Sequence, residues 1–546
     1  MIQCGIVPKW KPGQLLFEKP NQNFVILYMS NKASDQLFNL IKSLTTPEKR
    51  YFKVYSTRHA TLGSKGVYLK LFEAINKQAE YDEEAILKKF KGQAIINRFS
   101  ISKNRLYHSI LRALDSYYYD SSVDADLRRL LHSVEILYKK SLYDQAFKLM
   151  KSAKRIAYEQ QKHTILIEIL NWEKMLIEKD NYEGVSQESI DEILKEDKRI
   201  ASLIDAYNEF WNVKSHLFHL LFRKGKARSE EEIQEFKALM DHTLLHRSDD
   251  EISVHTRYLY YHIYSAYYFG TGDYKQCYSF LTKNIAFIEA NNVLFQEEPN
   301  TYVSVLTNAI YVGMQLKRYE EAFAYLEKLR RVPEKLVIPQ NENLEIRLFS
   351  SATSIELALY ALTGEFEKGL DIIHEVENGL VRFYDKLSSV RKAAFYFSIA
   401  IIYYGAGDLS QAQYWINELL NTINVDESED IHCFAQIMNL IIQLDRGKNK
   451  LVPYALKSTS RYLQSRNRVY KFESVVLDFI RRSLKARSIE DRERIYEDLV
   501  ISLKELRADP FESTAFEYFD FVSWAESKRY NRPFKELVKE KASLGA

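Results

Sequence analysis

His242 and His246 stand four residues apart in a helical pattern beside Asp241, a spacing that turns two imidazoles to one side of a helix and could hold a metal ion. The glutamate that would act as base in such a pair is missing between them, and no third ligand is marked by spacing, so no metal is assigned. His216 with His219, and His255 with His262, are helical neighbours that read as surface or half-buried packing. The three cysteines, Cys4, Cys277 and Cys433, lie far apart with no CxxC pair, which fits neither a disulfide framework nor a zinc knuckle and suits a reducing compartment. There is no P-loop, no GxGxxG after a strand, no GxSxG elbow and no carboxylate pair set apart by spacing. The reading is therefore of a protein without catalytic residues, cofactor or metal, and not an enzyme.

Charge gives a second lead. Between Glu84 and Asp115 no acidic residue occurs, while Lys88, Lys89, Lys91, Arg98, Lys103, Arg105 and Arg112 supply seven cations. Residues 36–114 carry roughly +9 and the chain after 114 roughly −8, although the whole chain is only +3. These seven are candidate anion-binding residues, with nucleic acid as one partner they would suit. A solvated basic surface, or one docked on the protein's own acidic part, accounts for the same charges.

The elements that carry these residues are helices. Only 10 prolines occur in 546 residues, with none between Pro47 and Pro299, and 46% apolar with 28% charged residues provides both a continuous interior and a solvated exterior. No run approaches 18 apolar residues and no secretory signal opens the chain, so the expected setting is the cytoplasm, away from membranes. Residues 1–28, with Pro8, Pro12 and Pro20, read as a disordered tail or as sequence upstream of the true start at Met29. Residues 29–122 read as a small basic helical domain. In it Thr45-Thr46-Pro47-Glu48 marks a helix start before Tyr51, Phe52 and Tyr55, and further helices follow Gly66, Tyr81 and Ser102. Tyrosine is abundant, 38 in all, and Tyr261, Tyr264 and Tyr268 fall on one helical face as a packing stripe.

From about Val123 a period emerges. The small residues Cys277, Ala322, Gly369, Ala412 and Ala455 each open a helix, at intervals of 45, 47, 43 and 43 residues, and Ala146 precedes them by close to three further periods. Helix starts at Ser186–Ile190 and Ser229–Ile233 fill the two vacant places. Before each small residue stands a turn: Gly270-Thr271-Gly272-Asp273-Tyr274 before Cys277, Lys317-Arg318-Tyr319 before Ala322, Thr363-Gly364-Glu365-Phe366 before Gly369, Gly405-Ala406-Gly407-Asp408 before Ala412, and Ser141-Leu142-Tyr143 before Ala146. The glycine supplies positive φ, the acid starts the next helix, the aromatic covers the corner, and the small residue lets two backbones approach.

These motifs resemble the tetratricopeptide (TPR) hairpin, although at 43 to 47 residues the units exceed its 34. The arrangement, with the segment Lys49-Arg50-Tyr51-Phe52-Lys53, also resembles a group of bacterial TPR-like proteins of no assigned activity. The expected fold is all-α, a TPR-like helical-hairpin solenoid over residues 123–508, preceded by the small N-terminal helical domain and closed by a helical cap at 509–546. The resemblance implies that the first helix of each hairpin lines a concave surface, which puts His262, Phe269, Tyr311, Gln315 and Tyr404 there as candidate partner-binding residues. The implied function is a scaffold that binds a protein or peptide without catalysis. The alternative is a regulator whose basic N-terminal domain contacts nucleic acid while the array senses a partner. No oligomeric state follows from the sequence.

Overall fold

The computed structural model describes residues 35–58, 66–241, 252–335, 342–422 and 429–543, apart from isolated positions such as 94, 120, 121, 180, 228, 449, 467–469, 510 and 511. Within these the chain is all-α, with no strand. Residues 1–28, His242 and His246 lie outside the described residues. Two compact units are formed, divided between Ser186 and Gln187.

The first unit contains α1 (Asp35–Ser43), α2 (Thr46–Arg58), α3 (Val67–Lys77), α4 (Glu83–Lys89), α5 (Phe99–Tyr117), α6 (Val123–Lys139), α7 (Tyr143–Glu159) and α8 (His163–Lys179). The helix start at Thr45 forms as its residues dictate: the Glu48 carboxylate accepts from the Thr45 hydroxyl at 2.7 Å and from its backbone N–H. Burial alone would raise the Glu48 pKa, but hydrogen bonds from Tyr118 (2.6 Å) and Thr45 overcome it and hold the carboxyl below its usual value. Phe52, Leu71, Phe72, Ile75, Leu106 and Ile110 make the core, with α5 packed on α1, α2 and α3. The first hairpin, α6 with α7, groups with this unit, and Ala146 at its crossing is fully buried.

The second unit opens with α9 (Gln187–Lys224), α10 (Glu230–Met240), α11 (Val254–Thr271), α12 (Tyr274–Ala290) and α13 (Asn292–Phe295). It continues with α14 (Pro299–Gln315), α15 (Tyr319–Arg330), α16 (Val332–Lys335), α17 (Glu342–Leu348), α18 (Ser354–Thr363), α19 (Phe366–Phe383), α20 (Ser389–Gly405) and α21 (Leu409–Thr422). The last helices are α22 (Glu429–Asp445), α23 (Val452–Ser465), α24 (Lys471–Lys485), α25 (Ile489–Ala508), α26 (Phe521–Arg529) and α27 (Phe534–Ser543). Helix starts at Ser186 and Ser229 are present, yet no hairpin lies between them. A single helix, α9, runs unbroken for 38 residues and interrupts the expected period.

Beyond α9 hairpins follow in series: α11/α12, α14/α15, α18/α19, α20/α21, α22/α23 and α24/α25, each packed on the next. The turns match their sequence logic. Gly272, Gly364 and Gly407 take φ of 82°, 71° and 90°, and the Asp273 and Asp408 side chains accept from the N–H groups of Gln276 and Gln411 at 3.0 Å. Glu365 departs from this pattern and pairs with Lys368 instead of capping. At the α14/α15 turn Lys317 occupies the left-handed position without a glycine (φ 59°). Close approach is confirmed at the crossings. Ala322 and Ala412 are fully buried, and a Cβ on Gly369 would lie 2.7 Å from Ile402 Cδ1. Ala455 is only half-buried, because Val452 and Leu456 take over its packing role. The longest interval, 47 residues, holds α16 and a π-helical turn, Phe349–Thr353, between α17 and α18.

Candidate functional site

Three of the five groove residues come together in a cleft where α9, α11, α12 and α14 meet. Phe218, His262, Ser265, Phe269, Asn308 and Tyr311 are among the residues that line it. The His262 ring stacks with Phe218 at 5.0 Å and with Tyr258 at 5.5 Å, the latter with an interplanar angle of 14°. Its Nδ1 is buried without a hydrogen-bond partner. Desolvation, with a smaller contribution from the Lys214 ammonium, pushes the His262 pKa down to about 3, so the ring is neutral at ordinary pH. Phe269 is 8% exposed and carries the Lys226 ammonium 5.1 Å above its ring. The free space in the cleft takes water centres over only about 10 Å³, room for about one water molecule and far below what a metabolite requires. His262 and Phe269 are thus packing residues, covered because the long helix α9 lies against the first-helix face of α11. Tyr311 is half-buried at the rim, and Gln315, the last residue of α14, is exposed.

Tyr404 lies elsewhere, and a different cover explains its burial. The C-terminal segment returns across the first helices of the later hairpins. Tyr518 stacks on Phe434 of α22 at 4.1 Å, while Phe519 and Phe534 meet Tyr404 at 5.4 and 5.7 Å. Lys535 reaches Glu367 at the start of α19 (2.6 Å), and α27 packs on α18. At the centre stands Asp445, whose side chain is 4% exposed. It accepts from the Tyr404 hydroxyl at 2.5 Å and from Trp524 Nε1 at 3.3 Å, and pairs with Lys528 at 3.0 Å. Burial and the neighbouring carboxylate raise the Tyr404 pKa well above the ordinary phenol value. The segment expected as a C-terminal cap thus packs on α25 through α26 and also covers Tyr404 and Phe434 on the first helices of two hairpins.

A different aromatic face is partly exposed. On the side of α11 turned toward α12, Tyr260, Tyr264 and Tyr268 recur every four residues and share Phe280 of α12 as a common neighbour. Tyr264 stacks on Phe280 at 4.9 Å with planes 13° apart, Tyr268 at 5.6 Å, and Tyr260 meets Tyr264 at 4.7 Å. All four rings are half-buried, and cations border them, Arg257 over Tyr260 and the exposed Lys283 over Phe280. The expected packing stripe of Tyr261, Tyr264 and Tyr268 is therefore only partly interior. The i, i+4, i+8 spacing of Tyr260, Tyr264 and Tyr268 in the sequence was the signal available for this face.

In the first unit the candidate anion-binding residues divide. Lys88, Lys89, Lys91, Arg98, Arg105 and Arg112 are exposed. Lys103 is withdrawn from solvent: its ammonium meets Glu83 at 2.6 Å and lies over the rings of Phe99 and Tyr81, so its charge is spent inside the unit. Among the described residues no cluster of three or more His, Cys, Asp or Glu is arranged to hold a metal, and no helix is long and apolar enough to cross a membrane. Cys277 and Cys433 are buried free thiols, and burial, with Asp273 adding to it, pushes the Cys277 pKa up to about 12, the opposite of activation. No family model matches this chain, and no curated protein or solved structure matches it significantly.

Proposed function

We propose that this chain is a non-catalytic, TPR-like interaction scaffold of the cytoplasm that holds an extended segment of a protein partner against the partly exposed aromatic face of α11 and α12. The observation that carries this reading is the ring ladder Tyr260, Tyr264, Tyr268 with Phe280. The Tyr264 and Tyr268 ring centroids are 6.4 Å apart, close to the roughly 6.6 Å between alternate side chains of an extended chain, so two alternate apolar side chains of a peptide can seat on these two rings. Tyrosine suits such contacts because it offers a large rigid surface at low entropic cost and keeps a hydroxyl for the peptide backbone. The cleft beside His262 supports the same reading by its size, which favours recognition along a surface over enclosure of a small molecule.

The test is selection from a random-peptide display library with the full chain, followed by titration of the selected peptides. Peptides with apolar residues at alternate positions should be enriched. Tyr264→Ser and Phe280→Ala should each weaken binding about tenfold or more, whereas Val381→Ser, at a residue 81% exposed on α19, should leave it unchanged. Absence of enrichment, or equal binding by all three variants, refutes the proposal.

A further inference from the structure

The exposed side of α5 has the composition and geometry of a helix that enters the major groove of duplex DNA. Its inner face, Phe99, Ser102, Leu106, Ile110 and Ala113, is buried at the helical spacing i, i+3, i+7, i+11, i+14 and anchors the helix on α1, α2 and α3. The opposite crest carries Ile101, Asn104, His108, Leu111 and Asp115, all exposed, with Ile101 at 48% and Leu111 at 38%. Along one flank of that crest run Arg98, Arg105 and Arg112, each exposed and each seven residues from the next. Seven residues bring a helix back to nearly the same direction, so Arg105 and Arg112 share a line about 10.5 Å apart, with Arg98 at the N-cap extending it. At 19 residues α5 is about 28 Å long, enough to lie along the groove.

Charge complementarity selects the occupant. The exposed cations Lys88, Lys89 and Lys91 on and just after α4 add to the three arginines, and no acid interrupts the stretch from residue 85 to 114. The single cation of that stretch with an internal role, Lys103, is consumed by Glu83 on the inner side. A crest of two aliphatics with an amide, an imidazole and the Asp115 carboxylate fits base edges, the aliphatics against thymine methyls, Asn104 toward adenine and Asp115 toward a cytosine amino group, while the arginine flank meets phosphates. Single strands are disfavoured because the crest presents no Phe, Tyr or Trp ring on which bases could stack, and RNA duplexes because their major groove is too narrow to admit a helix. We infer that α5 is a DNA-contacting helix, with Arg98, Arg105 and Arg112 on the phosphate backbone and Asn104 and His108 facing the bases. This site is separate from the aromatic face of α11 and α12 and does not depend on it.

The test is fluorescence anisotropy of the full chain with a labelled random-sequence 20-base-pair DNA duplex, titrated between 50 and 200 mM salt. Three phosphate contacts predict roughly a 40-fold loss of affinity over that range. Arg105→Ala with Arg112→Ala should weaken binding at 50 mM salt and lower the log–log salt slope by about 2. The charge-matched pair Lys457→Ala with Arg461→Ala, on exposed positions of α23, should change neither. Because all four positions are exposed, unaltered helical circular dichroism confirms that the variants are folded. The inference is overturned if no binding is seen at 50 mM salt, if both pairs of substitutions act alike, or if the single strand or an RNA duplex binds more tightly than the DNA duplex.

Discussion

Replacing Asp445 by alanine should release the C-terminal helices from the face they cover. Its carboxylate is the shared acceptor for the Tyr404 hydroxyl and the Trp524 indole N–H, and the counter-ion of Lys528, which bind together α20, α22 and α26. With the carboxylate gone, a buried phenol and a buried indole each lose an acceptor, at about 1 to 3 kcal/mol apiece. Lys528 remains 35% exposed and can recover hydration, so its share is smaller. The sum, about 3 to 5 kcal/mol, is in the range found when one partner of a buried charge network is removed. Tyr404→Phe deletes one hydrogen bond to a charged group and should cost about 1.5 to 3 kcal/mol, and Lys528→Met about 1 kcal/mol. The assay is native-state hydrogen exchange read by mass spectrometry over residues 519–543. Asp445→Ala should lower protection there roughly 150- to 5000-fold, with the order of effects Asp445→Ala, Tyr404→Phe, Lys528→Met. Protection in the Asp445→Ala protein within about threefold of the parent would refute the view that this carboxylate fastens the segment.

Two further outcomes follow from individual side chains. The folded-state pKa of His262, pushed down to about 3, lies below the roughly 6.5 of an unfolded histidine, so the unfolded chain binds the extra proton first. His262 therefore contributes stability that is fully present above about pH 6.5 and is lost as pH falls toward 3, and His262→Phe should flatten the fall in urea midpoint measured across that window. Gly405→Ala would bring a Cβ to 2.2 Å from the ring of Phe366, which is fully buried, and should lower stability by about 2 to 3 kcal/mol in chemical denaturation. Gly407→Ala, in open space but at φ 90°, should cost only about 1 to 2 kcal/mol, so equal effects at the two positions would contradict the crossing argument.

Local features were legible because their causes are local. Glycine at the turns, aspartate at the helix starts and the Thr45–Glu48 box each act within four residues, and each is found where the chain indicated. The small residues at the crossings were legible through their period, since only Ala, Gly or Cys permits that backbone approach. Phase was less secure. Ala455 keeps the period but not the burial, and the interval before Cys277 holds one long helix where hairpins were expected, because nothing in helical periodicity marks whether a chain turns back. Lys103 could not be told from its neighbours by charge, since its withdrawal depends on Glu83, twenty residues away.

By itself the sequence determined an all-α chain of successive helical hairpins, the positions of its turns and crossings, and a basic stretch set against an acidic remainder, because propensity, capping and charge are properties of neighbouring residues. Tertiary structure alone decided which apolar faces stay available. An apolar stripe on a first helix reads the same whether it awaits a partner or is covered by α9, as around His262, or by residues 516–534, as around Tyr404. Burial depends on what packs from distant parts of the chain, and that left the tyrosine face of α11 partly exposed and the arginine flank of α5 turned to solvent.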